Sequence, residues 1–179
     1  MNNKKKIYIT GCAKSGTTLV RRLFNAFELD VYNYYEMSID SFMESKYNVA
    51  KRKYNTILSR KLDKKEESRQ LEIIKNIFIV NVIRNKADVL KSDNGYVPEA
   101  RYDSCMEQAS RLSDDIDFTL SYDDLLCDPD RAQEEISEKL NLKIIHKWSD
   151  YPKFMKGIKE RYSKSNINEL RPIGTPKKV

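Results

Sequence analysis

Ile7-Tyr8-Ile9-Thr10-Gly11-Cys12-Ala13-Lys14-Ser15-Gly16-Thr17-Thr18-Leu19-Val20-Arg21-Arg22-Leu23-Phe24 is the stretch that decides the fold. A short apolar, β-branched run meets a turn of small residues. The turn leads into an amphipathic helix with Leu19, Leu23, Ala26 and Phe27 on one face. Strand, Gly-bracketed loop and helix together build a phosphate cradle, because successive backbone N–H groups and a helix N-terminus converge on one anion. Gly11 and Gly16 permit close backbone approach. Lys14 adds charge, and the hydroxyls of Ser15, Thr17 and Thr18 add donors. An ordinary strand–turn–helix is the alternative; the density of Gly, Lys and hydroxyl residues argues against it.

The place of the lysine narrows the ligand. A nucleotide triphosphatase loop reads G-x-x-x-x-G-K-[ST]. Gly11 and Gly16 have that spacing, but Thr17 stands where the lysine would be, and the lysine precedes Gly16 by two positions. Lys14-Ser15-Gly16-Thr17-Thr18 instead resembles the 5′-phosphosulfate loop of sulfotransferases that use 3′-phosphoadenosine 5′-phosphosulfate (PAPS). In that family the basic residue reaches the bridging and leaving-group oxygens, which the resemblance implies for Lys14.

Two later segments agree in order. Ile77-Phe78-Ile79-Val80-Asn81-Val82-Ile83 is an apolar run suited to a buried central strand. It ends in Arg84, and Ser92 follows eight positions on. The family's 3′-phosphate site has a similar Arg and Ser at that spacing, where a guanidinium fork and a hydroxyl hold a dianion. Phe118-Thr119-Leu120-Ser121-Tyr122-Asp123-Asp124-Leu125 then resembles the family's strand followed by Tyr-Glu-Asp-Leu, with Asp123 in place of the Glu. Tyr122 is thereby implied at the nucleotide. Asp128-Pro129 is predicted to open a helix, as N-cap and first helical residue. The resemblance covers about Ile7 to Leu142. It implies a three-layer, P-loop-like α/β fold with a central parallel sheet flanked by helices.

The 179 residues suffice for one domain over 1–179, with a sizeable core. The predicted order is strand 6–10, helix 16–28, short strand 30–34, helices 37–72, strand 77–83, helices 86–93 and 98–114, strand 117–121, and helices 122–127 and 129–140. A polar C-terminal part from His146 follows, with at least one helix. Strands separated by helices argue a parallel, doubly wound sheet, whose ligands bind beyond the carboxyl ends of the strands. Lys14, Arg84 and Tyr122 all follow strands on that edge. The charged stretch from Lys51 to Gln70 is expected as solvated helices.

Composition adds bounds. Three cysteines, Cys12, Cys105 and Cys127, lack metal spacing, and Cys12 is expected to pack rather than react. A strand begins almost at once and no run approaches membrane-spanning length, so the expectation is a reduced, cytoplasmic protein without a leader or membrane partner. The net charge of +6 suits a bisphosphorylated nucleotide. The basic residues are scattered and no base-reading motif is present, which argues against sequence-specific nucleic-acid binding.

Sulfuryl transfer sets three tasks: stabilising the leaving phosphate, deprotonating the acceptor and anchoring the nucleotide. The resemblance gives the first to Lys14 with the loop N–H groups, and the third to Arg84 and Ser92. No metal is demanded, because the transferred group carries less charge than a phosphoryl group. The one histidine, His146, lies late in the chain, whereas cytosolic aryl sulfotransferases use one in the middle. Protein-tyrosine sulfotransferases place a Glu shortly after the second strand, and Glu36 has a similar offset. Glu36 is the candidate base, ahead of Glu28 and His146; the alternative is a Glu favoured by a helix dipole. Tyr32, Tyr34, Tyr35 and Phe42 either line the acceptor pocket or belong to the core. The chain is short for the family, which leaves an open site or one completed in a homodimer. The rivals are a kinase-like phosphotransferase, which would need an Asp ending a central strand, and a non-catalytic nucleotide-binding module.

Overall fold

The computed structural model describes residues 6–29, 38–45, 49–51, 64–92 and 97–151. Its centre is a parallel sheet of four strands: β1 (Ile7–Gly11), β2 (Val49–Lys51), β3 (Phe78–Ile83) and β4 (Phe118–Ser121), in the order β2-β1-β3-β4. Helices α1 (Thr17–Leu23), α2 (Ile39–Glu44), α3 (Lys64–Ile74), α4 (Lys86–Lys91), α5 (Glu99–Arg111), α6 (Tyr122–Cys127) and α7 (Pro129–Leu140) flank it. This is a three-layer α/β architecture.

All five residues of β1 are buried, as expected of a central parallel strand covered on both faces. Alternate side chains therefore feed two cores. Ile7, Ile9, Val80, Val82 and Leu120 meet α1 and α7 on one face. Tyr8, Ala50 and Ile79 meet α2, α3 and α5 on the other. Trp148 closes the first core: it is fully buried, lies 5.9 Å edge-on from Phe27, and its Nε1 donates to the Leu23 carbonyl at 2.9 Å. That bond satisfies one of the carbonyls left open at the end of α1.

Helix starts follow their side chains. Asn85 caps α4, its Oδ1 accepting from the Ala87 N–H at 2.9 Å. Ser121 and Asp128 cap α6 and α7 in the same way, with Pro129 opening α7 as the sequence predicts.

The structure corrects several expectations. The helix predicted over 16–28 ends at Leu23, and a 3₁₀ turn from Phe24 to Ala26 follows. Phe27 then forms an antiparallel bridge to Ile144. The helical reading of 37–72 misses β2. Val49 and Ala50 are fully buried beside β1, with Ile7 opposite Val49, and three residues are too few to show a period of two. Lys51 is thus a strand residue rather than part of a solvated helix. The strand expected over 30–34 lies outside the described residues. The helix expected over 98–114 ends at Arg111, with a separate 3₁₀ turn from Ser113 to Asp115.

Candidate anion site at the carboxyl edge of the sheet

Strand register levels three chain segments on one edge. Gly11 stands opposite Val82, and Ile83 opposite Ser121. The chain therefore leaves β1, β3 and β4 within about one residue of the same height. The loop 12–16, Arg84 and Tyr122 begin there. The Arg84 Nη1 donates to the Lys14 carbonyl at 3.2 Å. Its guanidinium carbon lies 4.7 Å from the centre of the Tyr122 ring. Tyr122 is buried, and its ring edge fills the space over Gly16: a Cβ there would stand 2.4 Å from Cδ2 and 2.6 Å from Cε2. Three segments distant in sequence thus form one packed unit.

The loop backbone is set for close approach. Gly16 caps α1 with φ 105°, and Lys14 has φ 68°, a left-handed conformation uncommon for a residue with a Cβ. Gly11 has no room for a side chain, since a Cβ would meet the Val82 carbonyl at 2.4 Å. The first turn of α1 carries no acidic residue. Its N–H groups lack partners within the helix and present partial positive charge. The Lys14 side chain is exposed beside them, and Thr17 and Thr18 open the helix.

Ser15 has a different task from the one its residue type suggests. It is buried, and both its N–H and its hydroxyl donate to the Cys12 carbonyl, at 3.2 and 2.9 Å. It shapes the loop from within. Ser92 closes α4, its hydroxyl donating to the Val89 carbonyl at 2.9 Å. The six residues of α4, about 9 Å of helix, stand between it and Arg84. Contact between Ser92 and Arg84 is not among the hydrogen bonds of the described residues.

Two alternative bases fall away from this edge. Glu28 and His146 sit beyond the far end of α1, where the Glu28 N–H donates to the Lys143 carbonyl and the His146 N–H to the Ala26 carbonyl. Ten residues of helix and 3₁₀ turn, roughly 15 Å, separate that end from the loop. Glu36 lies outside the described residues, as do Tyr32, Tyr34 and Tyr35. Phe42 is a core residue, fully buried and 5.6 Å from the Tyr8 ring.

Tyr102 of α5 is a residue that sequence reasoning missed. Its hydroxyl donates to the Arg84 carbonyl at 3.3 Å, and its own carbonyl accepts from the Cys12 thiol at 3.8 Å. Nothing local in the sequence marks it, because both contacts are made across the fold. The Cys12 thiol is pushed well above its ordinary pKa, first by its hydrogen bond with Cys105 and then by burial. It is held protonated and packs, which suits a structural rather than a nucleophilic role. Lys86 bridges Glu99 and Asp103 at 2.7 and 2.8 Å and ties α4 to α5.

A cavity of about 320 Å³ runs along the outer edge of β4, lined by Thr119, Asp124, Arg131 and Glu135 among others. It includes neither Lys14 nor Arg84 and is separate from the loop. Among the described residues, no His, Cys, Asp and Glu side chains gather as a metal-ligand set, and no helix is long and apolar enough to cross a membrane.

Lys14, Arg84 and the start of α1 lie together at the carboxyl edge of a parallel sheet, where such folds bind ligands. No protein-family model matches the chain, and no curated protein matches it either.

Proposed function

We propose that the chain is a sulfotransferase that moves a sulfuryl group from PAPS to a hydroxyl or amine acceptor, releasing adenosine 3′,5′-bisphosphate. The observation that carries this reading is the Arg84 side chain, which spans from the end of β3 to the Lys14 carbonyl in the loop after β1. Two cations thereby serve one edge, as a nucleotide with phosphates at both ends of its ribose requires. The Arg84 Nε is buried without a hydrogen-bond partner among the described residues, a cost that an anion reaching it would remove.

The roles follow from charge. Arg84 anchors the 3′-phosphate, and Ser92 joins it only by turning its hydroxyl away from the Val89 carbonyl. The loop through Gly16, Thr17 and Thr18 holds the 5′-phosphate, with Ser15 keeping the loop in shape. Lys14 offsets the negative charge that grows on the 5′-phosphate oxygen as its bond to sulfur breaks. The new bond joins the acceptor atom to sulfur, and the acceptor proton passes to a carboxylate, for which we propose Glu36. Tyr122 holds Arg84 from below. The kinase-like reading gains no support, since β3 carries Asn81 and is followed by Arg84 rather than by an Asp. A cytoplasmic setting belongs to the same proposal.

Titration calorimetry tests the reading. Adenosine 3′,5′-bisphosphate is expected to bind without metal and far more tightly than adenosine 5′-monophosphate. Arg84→Ala is expected to remove about 2–3 kcal/mol of that preference, the worth of charge-assisted hydrogen bonds. Equal affinity of the wild type for the two nucleotides rules the donor site out. For the base, Glu36→Gln keeps the shape and removes basicity. Transfer is then expected to fall roughly 10²-fold with nucleotide binding retained. A fully active Gln variant assigns the proton to another group.

A further inference from the structure

We propose that Arg84 couples the two phosphate subsites of the donor site, so that an anion held at one end of the nucleotide orders the loop that holds the other, and that Tyr122 is the positioning residue for this coupling. The inference rests on the donor-site reading above and deepens it.

The contacts form a closed circuit. Arg84 Nη1 holds the Lys14 carbonyl, and Lys14 is the one residue with a side chain in the loop whose backbone is left-handed. Such a backbone persists only where its surroundings fix it. The Tyr122 ring supports both partners, with the guanidinium stacked on it and Gly16 packed against its edge. On the other side, Tyr102 joins the Arg84 carbonyl to the Cys12 thiol at the start of the loop. Ser15 ties the loop back to Cys12. A shift of the guanidinium toward an anion therefore moves or stiffens the carbonyl of Lys14, whose side chain faces the reacting phosphate in the proposed mechanism. Coupling of this kind is reciprocal between the two subsites.

Adenosine 3′-monophosphate, which carries no 5′ group, is the first probe. Added to the wild type, it is expected to slow amide hydrogen exchange across the loop 12–16. Adenosine 5′-monophosphate is the second, titrated into charge-preserving variants. Arg84→Lys keeps the cation but loses the fork, and Tyr122→Leu keeps every charge but removes the ring. Both are expected to weaken 5′-monophosphate binding about three- to tenfold, the worth of one hydrogen bond, although neither residue anchors the 5′ group directly. Tyr122→Phe restores the ring and is expected to bind like the wild type. A purely structural role for the ring would show as a lower unfolding temperature without the exchange effect in the wild type. Unchanged loop exchange, with 5′-monophosphate affinity in Arg84→Lys within about twofold of wild type, overturns the coupling and leaves Arg84 a simple anchor. Failure of the wild type to bind the bisphosphate overturns the donor site itself, and the coupling with it.

Discussion

Lys14→Ala is expected to lower the rate of sulfuryl transfer at saturating nucleotide by about 10²–10³-fold, the usual cost of removing one group that stabilises developing charge. Affinity for adenosine 3′,5′-bisphosphate is expected to fall by no more than about tenfold, because Arg84 and the helix start still bind the ground state. The Lys14 side chain is exposed on the loop, while its carbonyl is held by Arg84. Its charge is proposed to act at the leaving oxygen while its backbone stays in place. Removing the ammonium leaves the carbonyl bond intact, so the loop keeps its shape and the loss is confined to the transition state. Single-turnover rates with a saturating donor and any competent acceptor read this directly, and slow hydrolysis of PAPS serves as a surrogate. A variant that loses binding but transfers at the wild-type rate when saturated makes Lys14 an anchor only.

Gly16→Val is expected to destabilise the fold by about 4 kcal/mol, from a strained left-handed backbone and an overfilled contact. At φ 105° a β-branched residue is disfavoured before any neighbour is considered. The new Cβ would also fall 2.4 Å from a ring carbon of Tyr122. That ring is buried and carries the Arg84 guanidinium, so it cannot swing aside without breaking the stack. Urea unfolding of Gly16→Val, Gly16→Ala and the double variant Gly16→Ala with Tyr122→Ala measures the two parts separately. The steric part is expected to be recovered in the double variant, and the backbone part is not. A Gly16→Val protein within about 1 kcal/mol of wild type would mean that the ring does not seat on the loop.

The α/β class was legible because β1 and β3 are continuous apolar runs followed by capped helices, and such patterns are set by residues close in sequence. Gly11, Lys14, Gly16 and Arg84 were legible for the same reason. Each sits at a strand end or in the loop that follows one, and the carboxyl edge of a parallel sheet collects such positions whatever the details of packing. The sequence alone did not reveal β2, whose three residues acquire their strand geometry only by pairing with β1. Nor did it reveal the early end of α1, where Trp148, distant in the chain, takes the Leu23 carbonyl. Residue type also misled at Ser15, whose hydroxyl is turned inward to Cys12 rather than outward. His146 and Glu28 look like possible bases until the far end of α1 removes them from the edge. Local sequence determined which residues stand at strand ends and helix starts. Only the tertiary structure decided which of them meet, because the contacts among Arg84, Lys14, Gly16, Tyr122 and Tyr102 join segments that no periodicity or spacing relates.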